Sequence, residues 1–287
     1  MLVRANSAAS VSEEGELGRL ELAEMHTELE WLLKDSIPES IKHIRQSLQK
    51  LSILSSKHGA GAARASESRL DLAAASSGAK GTATISGTVV THLSLDVAIS
   101  SQFNQGKTTT IYLKKNETLS LLQAQEAKSY VKSALYKAEA TPLFDSCGEA
   151  MRYIEGLMRD ISRAKRILAV GSQQDLLPLQ PENSEKFAPA LPENLVIECG
   201  LRGSVFIAHV YWLKFRRGVK STGILDAFKK DPSAGHMLVH KGRLAEVKRE
   251  IVFESPLEKV EDALSTLDRA LVVCADMLGQ LHAFDSM

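Results

Sequence analysis

The sequence has no surplus of either charge: 35 lysines and arginines face 35 aspartates and glutamates in 287 residues. Nucleic-acid binders carry a basic excess that neutralises phosphate, so no nucleic-acid partner is expected. Cysteine is scarce. Cys147, Cys199 and Cys274 are odd in number and too widely spaced for a metal knuckle or redox pair, so a reducing compartment without disulfides is expected. No run approaches the roughly 18 to 20 apolar residues that span a membrane. The opening MLVRANSAASVSEE lacks the apolar core of a signal peptide. A cytoplasmic chain is the expectation, touching membranes only indirectly, through partners.

Catalytic signatures are missing too: no His-Glu-x-x-His, no Gly-x-Ser-x-Gly and no complete phosphate loop. The GAGAAR stretch follows a helical pattern instead of a strand and reads as a loop. Asn116-Glu117-Thr118 matches a glycosylation sequon of a kind that arises often by chance. His209 lies in an apolar strand, where a structural or surface role outweighs that of a base. Cys199 reads as a small buried residue, and Glu258 and Asp262 as carboxylates at a helix start. No cofactor, metal or catalytic residue is expected.

What is present is hydrophobic periodicity. Leu22, Met25, Leu29 and Leu32, then Ile37, Ile41, Ile44, Leu48 and Leu51, form a helical stripe over about 13–56, with a kink or a break expected near Asp35–Ile37 because Pro38 removes an amide donor. Ser36 is expected to cap the restarted helix. Residues 57–80, rich in Gly, Ala and Ser, read as a flexible linker. From 82 to 99 the period falls to two, with a bend at Gly87, and a strand at 107–114 is expected to complete a hairpin. Helices are expected over about 117–139 and from Ser146 to Ala169, the second with a Ser146/Glu149 capping box. Strands follow at 195–201, 205–215, 236–240 and 244–253, with turns at Gly203 and Gly242.

The last segment carries the strongest pattern. Ser255-Pro256-Leu257-Glu258 predicts a capped helix start. Leu257, Val260, Leu264, Leu267, Leu271, Cys274, Leu278 and Leu281 then alternate steps of three and four, a heptad seam. Burying such a row is worth on the order of 10 kcal/mol, so it must face other helices. Helices of the same chain are favoured, because they avoid the entropy cost of association. An intermolecular zipper, making the protein a self-associating scaffold, is the alternative.

The fold expectation is α+β: a discontinuous antiparallel helical bundle (13–56, 117–170, 255–285) joined to an antiparallel β-sheet domain (81–115, 193–254), elongated, with 57–80 as linker. Trp31 and Trp212 are expected as core or interface anchors. The basic run at Lys214, Arg216, Arg217 and Lys220 is the candidate contact for an anionic partner, with a solvated loop the plainer reading.

Two motifs resemble the Rogdi family: Glu28-Leu29-Glu30-Trp31-Leu32-Leu33, and Phe187-Ala188-Pro189-Ala190-Leu191-Pro192-Glu193-Asn194-Leu195. Trp31, Leu32, Leu33, Phe187, Pro189, Leu191 and Pro192 are the residues that mark it. The order of elements agrees from about 25 to 282, although the Ala/Ser-rich 59–79 has no obvious counterpart and the region after Leu281 is short. The resemblance implies the small subunit of the RAVE regulator, which promotes assembly of the vacuolar and endosomal proton-pumping ATPase (V-ATPase). It further implies a non-catalytic adaptor; a monomer in isolation is the expectation that follows from the intramolecular bundle. Its partners would be a large β-propeller scaffold and the peripheral-sector subunits of the ATPase, and it would be recruited through them to vacuolar and endosomal membranes.

Overall fold

In the computed structural model the described residues are 7–51, 67–98, 108–139, 143–170, 181–215, 237–240 and 243–285. The first helical rod is α1 (Ser7–Trp31), a π turn (Leu32–Ser36) and α2 (Ile37–Gln49). The expected disturbance before Pro38 takes the form of that π turn: the Ile37 N–H reaches back five residues to the Leu32 carbonyl. Widening one turn absorbs the amide that proline cannot supply, so the rod continues instead of breaking. Ser36 therefore stays helical and makes no side-chain cap, contrary to expectation.

The expectation of a linker over 57–80 is corrected for residues 67–80. Glu67–Ala73 is strand β1, and a turn leads to β2 (Lys80–Ser86). Leu70 and Leu72 alternate with Arg69, Asp71 and Ala73, and both leucines are buried. Residues 52–66 lie outside the described set. Gly87, with φ of 60°, turns the chain into β3 (Val89–Ala98), and β4 (Thr108–Leu113) pairs antiparallel with it. A bulge between Thr84 and Ile85 resets the register, so Val90 and Leu93, three apart, both point inward.

The next helix starts later than expected. Asn116 takes φ of 72°, Leu119–Ser120 forms β5 against β3, and α3 runs from Leu122 to Glu139. Its partner α4 (Cys147–Val170) starts as expected, with the Ser146 hydroxyl accepting from the Glu149 N–H at 3.3 Å. A 3-10 turn (Pro181–Lys186) leads to β6 (Phe187–Ala188), β7 (Leu195–Arg202), β8 (Val205–Phe215), β9 (Met237–His240) and β10 (Arg243–Pro256). The final helix, α5, is Glu258–Asp285. Ser255 and Pro256 do not cap it as expected. They extend β10, paired with Phe206 and Val205.

All the strands join one antiparallel sheet in the order β6-β4-β3-β2-β1-β10-β8-β7, with β5 on β3 and β9 on β10. The sheet curls until its first and last strands, β6 and β7, are joined by only residues 189–194. Against it the helices pack in a ring: α2 beside α3 and α5, and α4 beside α3 and α5. One hydrophobic core runs from Ile37, Ile41 and Ile44 through α3, α4 and α5 into Phe187, Phe206 and Phe253 of the sheet.

Polar bonds fix which end of the ring meets the sheet. The Leu201 N–H donates to the Gln123 side-chain carbonyl at 2.6 Å, at the start of α3. Gly203, at φ of 59°, donates to the Ala169 carbonyl near the end of α4. The Leu257 N–H, at the start of α5, donates to Ser204 at 2.7 Å. At the opposite end the Cys147 thiol donates to the Leu281 carbonyl, and a cleft between α2 and α3 brings Lys34, Pro38 and Arg45 to Ala138. The helices therefore alternate in direction, and α1 leads into the end remote from the sheet.

Candidate partner interface

The terminal helix positions its apolar side chains in three adjacent rows. Val260, Leu267, Cys274 and Leu281 are fully buried. On one flank Ala263, Ala270 and Met277 are also buried. On the other, Leu257 is buried, whereas Leu264, Leu271 and Leu278 are only partly covered. The heptad pattern thus marks a real apolar face, but the centre of burial lies one row toward the alanines. Small residues there let α5 approach α4 and α2 closely. The open flank continues into a shallow groove lined by Leu264, Val272 and Val273 together with Glu261, Asp268 and Arg269.

Titratable groups inside the bundle are engaged in holding it together. Asp160 on α4 is buried and accepts from Ser133 at 2.7 Å and Lys137 at 2.8 Å, both on α3. Burial pushes its carboxyl up, but the bonds from Lys137 and Ser133 and the charges of Lys137 and Arg163 outweigh this and hold it below the ordinary carboxylate value. Lys137 also donates to the Gly156 carbonyl, and the Tyr153 hydroxyl to the Lys137 carbonyl at 2.6 Å. This is a polar staple between the two helices.

On the outer face of the sheet, His209 Nδ1 lies 2.6 Å from the Glu250 carboxylate, and its ring stacks on Tyr211 at 5.4 Å. Glu198 pairs across from His209 on β7. Burial, then the charges of Glu250 and Glu198, raise the Tyr211 phenol above its ordinary value. Two of the three thiols are likewise held protonated: burial and the neighbouring Glu198 raise Cys199, and burial pushes Cys274 up to about 12. A thiol that stays protonated at neutral pH is a poor nucleophile. Among the described residues, no group of three His, Cys, Asp or Glu side chains is placed to hold a metal ion.

The motif residues divide by position. Leu32 and Leu33 are buried where α1 enters the ring, but Trp31 beside them is 57% exposed. Phe187 is fully buried, pairing with Leu113 in the sheet, and Leu191 packs partly on the core. Pro189, which follows a cis peptide bond, and Pro192 are exposed. Of the basic run, Lys214 is exposed near the end of β8, and Arg216, Arg217 and Lys220 lie outside the described residues. Trp212 is partly buried under the Arg249 guanidinium, which sits 5.1 Å from its ring.

At the end remote from the sheet several large apolar groups stand in water. Tyr136 near the end of α3 is 78% exposed and Leu143, just before α4, is 81% exposed. Trp31 joins them, and Leu20 and Leu22 are exposed on α1. Among the described residues Leu122 and Val170 at the sheet end, Tyr112 on β4 and Val272 on α5 are exposed as well, so what distinguishes the remote end is that it holds the two most exposed large apolar side chains, Tyr136 and Leu143. Tyr136 and Leu143 were not singled out in the sequence. Tyr136 does stand off the Ala127–Val131–Ala134–Ala138 stripe of its helix, which was the available signal.

A family model described as Rogdi leucine zipper containing protein matches residues 28–278. The chain is also similar to the proteins named Protein rogdi homolog from Homo sapiens and Pongo abelii. Each is 21% identical over 279 residues, covering 93% of this chain and 94% of the relative. Among the described residues no helix is long and apolar enough to cross a membrane.

Proposed function

The chain belongs to the Rogdi leucine zipper family, and on that premise we propose that it is a non-catalytic adaptor that helps assemble the vacuolar-type proton-pumping ATPase within a RAVE-like complex. Its partners in this reading are a large β-propeller scaffold subunit and peripheral-sector subunits of the pump. They recruit it to vacuolar and endosomal membranes. The observation that carries the adaptor role is how apolar surface is distributed. Two of the three α5 rows, those of Val260 and Ala263, are closed by α2 and α4 of the same chain, whereas Trp31, Tyr136 and Leu143 stand in water at the far end. A body whose own core is complete has its outside free for partners. The protonated thiols of Cys199 and Cys274 and the carboxylate-bound ring of His209 fit a protein without a nucleophile at work.

Affinity purification of the full chain from lysate under mild conditions is the test. It should recover the scaffold and pump subunits in stoichiometric amounts, and replacing Trp31 and Leu143 together by Ser should reduce that recovery. Recovery of the protein alone, or of the same partners at undiminished level with the double variant, contradicts the reading.

A further inference from the structure

We infer that α1 docks, through the row Leu22–Met25–Leu29, into an apolar groove on a partner protein whose rim carries lysine and arginine. The row is the first observation. Leu22, Met25, Leu29 and Leu32 are spaced three, four and three, and so share one side of the rod. Cover falls away along it: Leu32 is buried, Leu29 and Met25 are partly buried, and Leu22 is 59% exposed. A row that starts inside the bundle therefore runs out past the surface that the described residues of its own chain supply.

Charge selects the occupant. Ser7–Trp31 holds seven glutamates and one arginine, which leaves 34 basic and 28 acidic residues in the rest of the chain. A second α1 laid alongside would bring together two helices of the same strong sign. Anionic lipid head groups and nucleic acid are repelled for the same reason. A groove rimmed by cations gains from every glutamate beside the row, and complementary charge speeds encounter and sets specificity. Helix-in-groove docking uses anchors at this spacing. The inference rests on the adaptor reading only in taking the outside of the body as the working surface, and its test uses none of the partners named there.

The probe is a synthetic helix of about 28 residues with leucine at both seam positions of each heptad and lysine on the flanking positions. An isostere with glutamine on the flanks is the control. Titrated into the full chain and followed by fluorescence anisotropy, the lysine probe should bind roughly tenfold more tightly than the glutamine probe, and more weakly as salt rises. Leu22→Asp should weaken it roughly tenfold without moving the melting temperature, and Val170→Asp, exposed at the sheet end of α4, should leave it unchanged. The exposed double reversal Glu24→Lys/Glu28→Lys provides a second variant that leaves the apolar row intact, and it should weaken the lysine probe too. Failure of the lysine probe to bind, equal affinity for both probes, or binding indifferent to Leu22→Asp and to the charge reversal would overturn the inference. So would light scattering that shows a dimer abolished by Leu22→Asp, because the occupant would then be a second copy. If these results hold but purification recovers no pump subunits, the assignment to the pump falls and α1 docking stands.

Discussion

Two helices of this protein carry rows of large apolar side chains at steps of three and four, and the two rows end differently. On α5 the row Val260–Leu267–Cys274–Leu281 is closed by the chain's own α2 and α4. On α1 the row loses its cover within three turns and ends at an exposed Leu22. Periodicity says that a face wants burial, and both helices have it. Whether the chain supplies the cover depends on where the neighbours end. Here α3 ends beside the π turn, where Ala138 shares a cleft with Lys34 and Asp35, while α1 continues past it.

The sharpest way to break this contrast is to place a carboxylate on each row. Leu267→Asp buries a lone charge between helices and should cost more than about 4 kcal/mol, enough to abolish a cooperative melt followed by circular dichroism. Leu22→Asp should stay within about 0.5 kcal/mol of the parent. Equal effects would mean that the two rows do not differ as described. A gentler pair grades the α5 face itself: Leu267→Ala should lose about 3 kcal/mol, and Leu271→Ala, on the half-covered flank, clearly less in the same denaturant titration.

Next in size is the staple that holds α3 to α4. Asp160→Asn should cost about 2 kcal/mol, the usual worth of hydrogen bonds to a buried charge. The sign of its pH dependence follows from its depressed folded-state value. The stabilisation is fully present above the ordinary carboxylate range, near pH 4, and is lost as pH falls through the lower folded value. Acid should therefore destabilise the parent more steeply than Asp160→Asn. Parallel acid titrations of stability would contradict this. The smallest effect is expected at Trp31, where replacement by Ala should move stability by no more than about 0.5 kcal/mol although a large aromatic is lost, because most of the ring is in water.

Much of this architecture was legible in the sequence, because binary pattern and turn residues determine it. Gly87 and Gly203 both take the positive φ that their turns need, and the strands from Leu195 onward fall where alternation put them. The misreadings have specific physical causes. Strand β1 was hidden because Gly, Ala and Ser dominate the segment, while only Leu70 and Leu72 carry the alternation. Ser255-Pro256 looks like a cap, but strand pairing with β8 claims both residues before the helix starts. The centre of burial on α5 was misplaced by one row because Ala263 and Ala270 contribute little hydrophobicity yet sit where helices approach most closely. The candidate interface was the least legible part. Nothing local to Trp31, Tyr136 or Leu143 says that each stays exposed at the end remote from the sheet, because that depends on the direction and length of four helices far apart in the chain.

Hydrogen exchange on the purified full chain tests the difference between the two helices most directly. Amides of α5 around Leu267 and Cys274 should exchange only through global unfolding, at a rate independent of protein concentration, while those from Leu20 to Met25 of α1 exchange orders of magnitude faster. Protection on α1 equal to that on α5, or protection on α5 that rises with concentration, would show that the cover has been assigned to the wrong molecule.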